Sequence, residues 1–153
     1  MTKAFTHLNR ENDVTMVDVS HKAKQLRIAV AQGHIRMTAE TIERIREQKI
    51  IKGNVLTTAK IAGIMAAKKT SELIPLCHPI NLEFIGVEFS FSQTGVIATS
   101  TVKAIDVTGV EMEALTAVSV ALLTIYDMCK AVDKQMVMGE IRLLNKEKHD
   151  LSD

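Results

Sequence analysis

Twenty-four consecutive residues, Thr108 to Ala131 (TGVEMEALTAVSVALLTIYDMCKA), constrain the fold of this chain more than any other stretch. They read as one long helix. Between Met112 and Asp127 the polar groups are Glu113 and four hydroxyls, on Thr116, Ser119, Thr124 and Tyr126. A helix lying on a protein surface carries a broad charged stripe. This one has none, so it must be covered on most sides. Its charges gather at the ends, Glu111 and Glu113 at the start, Asp127 and Lys130 in the last turn. A lone buried charge is costly, so end charges on such a helix are either paired or used.

Asp127 and Lys130 are spaced i, i+3 and are therefore neighbours. They are either a surface ion pair worth about a few tenths of a kcal/mol, or a partly buried pair able to trade a proton with a substrate. At the other end, T-G-V-E fits a capping box with Thr108 as N-cap and Glu111 at N3. Glu113 has no such explanation, because it enters the helix among apolar neighbours. Glu113 and Asp127 are fourteen residues apart, which is about 40° around the helix and about 21 Å along it. One small site cannot take both from one straight helix. Either one end alone is functional, or the two ends serve different copies of the site across a subunit boundary.

The rest of the chain supplies strands and shorter helices. Residues 1–13 read as a loose arm, and Val14 to Val19 as a short strand or edge segment. Residues 27–37 read as a strand interrupted by Gly33. Thr38 opens a short amphipathic helix with Ile42, Ile45 and Ile50 inward. Asn54 is the N-cap of a helix running to about Ser71, whose Ala59, Ala62, Gly63 and Ala66 permit close packing. Residues 84–91 and 95–105 alternate and flank the turn SQTG. Val137 to Leu144 gives the last strand, and the charged tail 145–153 reads as frayed. The order β, α, β, β, α, β, with one extra helix near Glu40, matches an α+β, ferredoxin-like split βαβ unit. It implies one domain over 1–153, an antiparallel sheet with helices packed on one face, and an oligomer covering the other face.

Composition narrows the class. The chain is 46% hydrophobic but only 3% aromatic, so it can bury a core yet has few platforms for stacking bases. Nineteen basic and eighteen acidic residues nearly cancel, which argues against nucleic-acid binding. Two cysteines, Cys77 and Cys129, fit a reducing compartment rather than a disulfide framework. The N-terminus has no apolar signal core. The run Ala114 to Tyr126 is shorter than the roughly 18 residues of a membrane span. A cytoplasmic protein without a membrane segment is expected.

Two further groups could carry chemistry. In Ile74-Pro75-Leu76-Cys77-His78-Pro79 the prolines restrict the backbone and fix how Cys77 and His78 are presented. Cys77 alone is ordinarily a small buried hydrophobe, and His78 a hydrogen-bonded structural imidazole. Adjacent loop residues point apart, against a Cys–His nucleophilic pair, and no ligand spacing supports a metal. Anion binding by His78 with backbone amides is more plausible. Lys52, before Gly53-Asn54 and a helix start, suits a phosphate. Lys60, Lys68 and Lys69 lie on or after that helix, each unremarkable alone. Together the acids, His78 and the lysines suggest an anionic, phosphorylated small substrate handled by acid–base chemistry.

As a set, MVDVS (16–20), KGNV (52–55), AGIMAAKKT (62–70), LIPLCHP (73–79) and TGVEMEALTAVSVALLTIYDMCKAVDK (108–134) are distinctive. From about Thr6 to Leu143 the chain resembles the cyclic pyranopterin monophosphate synthase family of molybdenum cofactor biosynthesis. The resemblance implies a lyase of ferredoxin-like fold, assembled as a homohexamer (a trimer of dimers) with sites between subunits. It implies conversion of (8S)-3′,8-cyclo-7,8-dihydroguanosine 5′-triphosphate to cyclic pyranopterin monophosphate with release of diphosphate. The substrate is supplied by a separate radical enzyme acting on GTP. No metal or organic cofactor is implied for the step, and Mg²⁺ only as companion to the triphosphate. By motif, Asp127, Lys130 and Lys52 are implied as catalytic. Leu76, Cys77, His78, Met112 and Glu113 are implied as substrate contacts, with Lys68 on phosphate and Glu111 at lower weight. Two departures stand out. Val107 occupies the place of a lysine usual before TGVEMEAL, and NKEKHDLSD replaces a Gly/Ser/Lys-rich tail. A regulatory ligand sensor or a non-catalytic scaffold is the alternative. A sensor would tolerate Asp127→Asn, whereas a synthase would lose turnover.

Overall fold

A computed structural model describes residues 13–151. The elements run β1 (Gln25–Arg36), α1 (Ala39–Arg46), α2 (Val55–Ala67), α3 (Thr70–Leu73), β2 (Phe84–Phe91), β3 (Gly95–Asp106), α4 (Glu111–Cys129) and β4 (Val137–His149). The four strands form one sheet in the order β2-β3-β1-β4, and every neighbouring pair is antiparallel. This is the α+β, ferredoxin-like arrangement expected from the element order, with α1 and the single-turn α3 added.

The core lies between this sheet and α4. Ala114, Ala117, Val118, Ala121, Leu122 and Ile125 of α4 are wholly buried. They meet small residues on the facing strands, Ala29 and Ala31 of β1 and Ala98 and Ala104 of β3. The Ser100 hydroxyl donates to the Ala114 carbonyl at 2.7 Å, which satisfies the one polar side chain of β3 on that buried face. Gly33 leaves β1 continuous and paired with Ala98 of β3, whereas the register with β4 shifts between Gln32 and His34, so the expected interruption is an irregularity on the β4 side alone. Gly33 is where Val118 and Leu122 press against the strand, and a Cβ there would lie 2.8 Å from both side chains. The opposite sheet face mixes Gln32, Thr99 and Thr101 with half-buried Ile28, Val30 and Ile97. By length and apolarity α4 could cross a bilayer. A helix packed into a core passes the same test, and α4 packs against α2 and all four strands.

Helix α2 runs antiparallel to α4. Its start lies near Asp127 through Lys52, and Gly63 at its middle faces Ala117, where a Cβ would lie 2.8 Å from the Ala117 carbonyl oxygen. Asn54 caps it as expected, its Oδ1 accepting from Thr57 N at 3.0 Å. The helix ends at Ala67 rather than near Ser71, and Lys68 and Lys69 form the break before α3. Thr38 caps α1, and the Asp133 carboxylate accepts from Thr38 N and the Thr41 hydroxyl, tying α1 to the chain beyond α4.

Three expectations are corrected. The tail is not frayed from Asn145, because β4 continues to His149 paired with β1. Charged residues there alternate along a strand instead of dissolving into solvent. Val14–Val19 forms no strand beyond an isolated bridge at Val14. Thr108 does not cap α4. The helix begins at Glu111 with Val110 in the cap position and no side-chain cap bond, so the capping box does not form. Of the 1–13 arm, all but Asp13 lies outside the described residues.

Candidate active site

Buried α4 holds two polar clusters apart, one at each end. At its C-terminal end the Asp127 carboxylate lies between two ammonium groups. Lys130 Nζ is 2.8 Å from Asp127 Oδ1, and Lys52 Nζ is 2.9 Å from Oδ2. Lys52 also donates to the Asp127 main-chain carbonyl at 2.8 Å. Lys52 reaches there from the turn 50–53, closed by a Gly53 N to Ile50 O bond of 2.9 Å. Gly53 adopts φ +104°, a left-handed conformation that explains the glycine after Lys52. The KGN string therefore aims Lys52 at Asp127, and not across the N-terminus of α2 as a phosphate loop would.

Hydrogen bonds from Lys130 and Lys52 hold the Asp127 carboxyl down at about 2, and the same contact raises Lys130. At neutral pH the cluster is one carboxylate flanked by two ammonium groups. Its three side chains are about half exposed, which favours the surface ion pair of the two alternatives over the partly buried one. Exposure leaves both ammonium groups able to reach a ligand while the carboxylate fixes their positions.

The second cluster borders a cleft of about 440 Å³ at the N-terminal end of α4. Leu76, Cys77, His78 and Ile80 form one wall, and Gly109, Glu111, Met112 and Glu113 another. Val17, Val19 and Lys22 close it from the segment before β1. His78 Nε2 lies 2.9 Å from the Val17 carbonyl oxygen. A carbonyl only accepts, so that nitrogen carries the proton and Nδ1 is left as an acceptor when the ring is neutral. The turn before His78 is set by the Cys77 N to Ile74 O bond of 3.1 Å.

Glu113 is 3% exposed. Burial pushes its carboxyl up to about 7, with nearby Glu111 adding to the rise and a backbone hydrogen bond opposing it. It sits poised to hold or release a proton near neutrality. Burial also raises the Cys77 thiol, and the Glu113 charge adds to this. Cys77 is thus a neutral thiol lining the cleft, not an activated nucleophile. Glu111 pairs with Lys146 at 3.1 Å, so the supposed capping acid is held by β4. Lys68 lies in neither cluster. It is the exposed cap at the end of α2, which antiparallel packing places at the cleft end. Lys60 and Lys69 face Glu88 and Glu72 at 3.7 and 3.8 Å.

Expected residues are thus sorted into two groups. Lys52, Asp127 and Lys130 meet at one end, and Leu76, Cys77, His78, Met112, Glu113 and Glu111 at the other. Val17, Val19, Lys22, Ile80 and Lys146 were not anticipated, although the MVDVS string contains the first two. Among the described residues no three His, Cys, Asp or Glu side chains gather as metal ligands would.

A split-βαβ sheet carrying an ionisable cleft and a lysine–carboxylate cluster at opposite ends of one buried helix defines a class of small α+β proteins with two separated polar sites. Residues 16–149 match the MoaC family, and the chain belongs to that family. It is 55% identical over 147 residues to the cyclic pyranopterin monophosphate synthase of Brevibacillus brevis, covering 95% of this chain and 92% of that protein. Synthases of the same name from Novosphingobium aromaticivorans and Desulfitobacterium hafniense are also 55% identical, over 93% of this chain and 90% and 88% of theirs. The chain is an enzyme, a lyase serving molybdenum cofactor biosynthesis.

Proposed function

We propose that the chain converts (8S)-3′,8-cyclo-7,8-dihydroguanosine 5′-triphosphate to cyclic pyranopterin monophosphate and diphosphate, at sites each built from two copies. The observation that carries the second half is the separation along α4. Glu113 and Asp127 stand about 21 Å apart on one continuous helix, too far to meet on one small substrate. Between them the outer side of the helical layer exposes Ile61, Met65 and Leu123. An antiparallel pairing of two copies about a two-fold axis near Val120 would cover these apolar residues. It would also set the acid end, Glu111 and Glu113, against the Lys52 and Lys130 end of the partner. The homohexamer implied by the resemblance is compatible with such a pair as its unit.

In such a site the residues divide the work. A triphosphate brings several negative charges, and the ammonium groups of Lys52 and Lys130 offset them. Asp127 holds both lysines in place, and its contact raises Lys130. Closing the cyclic phosphate requires a substrate hydroxyl to attack the α-phosphorus while diphosphate departs. The hydroxyl proton must leave, and the departing diphosphate gains from a cation or proton donor. Lys130 and Lys52 serve the departing group. Glu113, near its midpoint at neutral pH, exchanges protons with the guanine-derived rings, and His78 Nδ1 offers a second acceptor. The reading places no resident metal or organic cofactor in the step, with Mg²⁺ entering only with the triphosphate. It places the enzyme in the cytoplasm, downstream of a radical enzyme that acts on GTP, and the free cysteines Cys77 and Cys129 suit that setting.

The test is purified protein supplied with the cyclised triphosphate. Diphosphate and the cyclic phosphate should form together, and Asp127→Asn should remove both. If the unaltered chain forms neither product, the proposal fails.

A further inference from the structure

One buried carboxylate takes part in neither cluster. Asp133 is 4% exposed and stands three residues beyond Lys130, where the chain leaves α4. Val132 N and Asp133 N both donate to the Cys129 carbonyl, at 2.9 and 3.0 Å, so the turn that carries Asp133 is closed onto the helix end. Its Oδ2 accepts from Thr38 N at 2.9 Å and from the Thr41 hydroxyl at 3.1 Å, and its Oδ1 accepts from Gln135 N at 3.0 Å. Burial opposes the charge, but the hydrogen bonds from Thr38, Gln135 and Thr41 outweigh it and hold the carboxyl below its ordinary value. An anion at the first turn of α1 also meets the positive end of that helix. Asp133 is therefore a clamp between the end of α4 and the start of α1. Burying a carboxylate is costly, and the Thr38 side chain already caps α1, so capping alone does not account for it.

What the clamp locates is Lys52. Besides the clamp, α1 is held by buried Ile42 and Ile45 and by the Arg46 guanidinium, 4.7 Å from the centre of the Phe91 ring. From α1 the chain passes to Lys52 with little slack. Gln48 N donates to Ile45 O at 3.1 Å and Lys49 N to Arg44 O at 2.8 Å, Ile50 is buried, and Gly53 N closes the turn on Ile50 O at 2.9 Å. Lys130 needs no such help, because it is a helical neighbour of Asp127. Lys52 comes from another element, so its meeting with Asp127 depends on how α1 sits against the end of α4. We propose that Asp133 is a positioning residue for Lys52, holding α1 and the turn 50–53 against α4 so that the Lys52 ammonium meets the Asp127 carboxylate. This deepens the proposed function, on which only its turnover readout rests.

A double-mutant cycle on the whole protein tests this. Asp133→Ala should lower kcat by about tenfold to a hundredfold, the cost of misplacing a working group by about 1 Å. KM should change far less, because a displaced ammonium still attracts a triphosphate. In a Lys52→Ala background the same substitution should change kcat by less than about twofold, since the group it positions is gone. The Asp127 carboxyl gives the same cycle without turnover. Asp133→Ala should raise its midpoint from about 2, seen by NMR titration, and should raise it no further once Lys52 is replaced. Thr41→Val removes one donor to Asp133 on the α1 side and keeps the volume. It should act in the same direction more weakly, and Thr41→Ser should restore the parent values; this pair decides the matter if Asp133→Ala does not fold. Equal losses with and without Lys52, or an Asp127 midpoint that neither Asp133→Ala nor Thr41→Val moves, would overturn the positioning role. If the Asp127 cycle behaves as expected yet the unaltered chain shows no turnover, the positioning stands and the synthase proposal fails. If turnover occurs and the cycle is additive, only the positioning fails.

Discussion

Replacing Glu113 by Gln should make the protein more stable above neutral pH while slowing it. Glu113 is 3% exposed, and burial raises its carboxyl from an ordinary 4.5 to about 7. Between those values the folded chain holds a proton that the unfolded chain has released. Stability therefore falls as pH rises through that window. Roughly 2.5 pH units at about 1.36 kcal/mol each amount to about 3 kcal/mol by pH 8. Gln keeps the volume but cannot ionise, so the variant escapes the decline. Any fixed cost of burying an amide is independent of pH. The quantity to follow is thus the variant-minus-parent difference, measured by calorimetric melting from pH 5 to 8 at constant protein concentration, since an oligomer melts higher when concentrated. At about 2–4 °C per kcal/mol for a chain of this size, the difference in Tm should widen by roughly 6–12 °C. Turnover should fall by about 10²–10⁴, the usual loss of a positioned proton-transfer group. A difference in Tm that stays flat from pH 5 to 8 would refute the buried, raised carboxyl and the proton role built on it.

Other substitutions separate position from chemistry. Lys52→Ala should let the Asp127 carboxyl rise from about 2 toward its ordinary value, seen by NMR titration, and should cut kcat by about 10² or more with little change in Tm. Gly63→Ala puts a Cβ 2.8 Å from the Ala117 carbonyl oxygen. It should cost about 1–3 kcal/mol in denaturant unfolding and lower kcat by levering Lys52 away from Asp127. Cys77→Ser should keep most turnover, and Cys77 should alkylate slowly at pH 7, because burial and Glu113 hold it as the thiol. Near-complete loss of turnover in Cys77→Ser would give the sulfur a chemical role.

Much of the fold was readable because its signals are local. Alternation marked β2 and β3, Asn54 and Thr38 marked helix starts, and the uncharged middle of α4 marked a core helix. What was misread depends on contacts distant in sequence. Asn145–His149 looks solvated until β1 is placed beside it, and Lys146 becomes structural only once Glu111 is opposite. Thr108 and Glu111 have capping-box spacing, yet the helix starts two residues later than that spacing requires and gives Glu111 to β4. Asp127 and Lys130 were visible as a pair, whereas Lys52 joins them from 75 residues away, a contact that spacing cannot show. Glu113 was legible as the acid that capping could not explain. The environment that raises its carboxyl, with Leu76 to His78 drawn over the start of α4, exists only in the folded chain.

The two-copy site is tested most directly by mixing two inactive variants, Glu113→Gln and Asp127→Asn, and letting subunits exchange. If the acid of one copy works with the lysine–carboxylate cluster of the other, each mixed interface contains one intact site and one doubly altered site. Random exchange should then restore about a quarter of the parent turnover. Exchange confirmed by native mass spectrometry, with turnover no higher than that of either variant alone, would contradict the two-copy site.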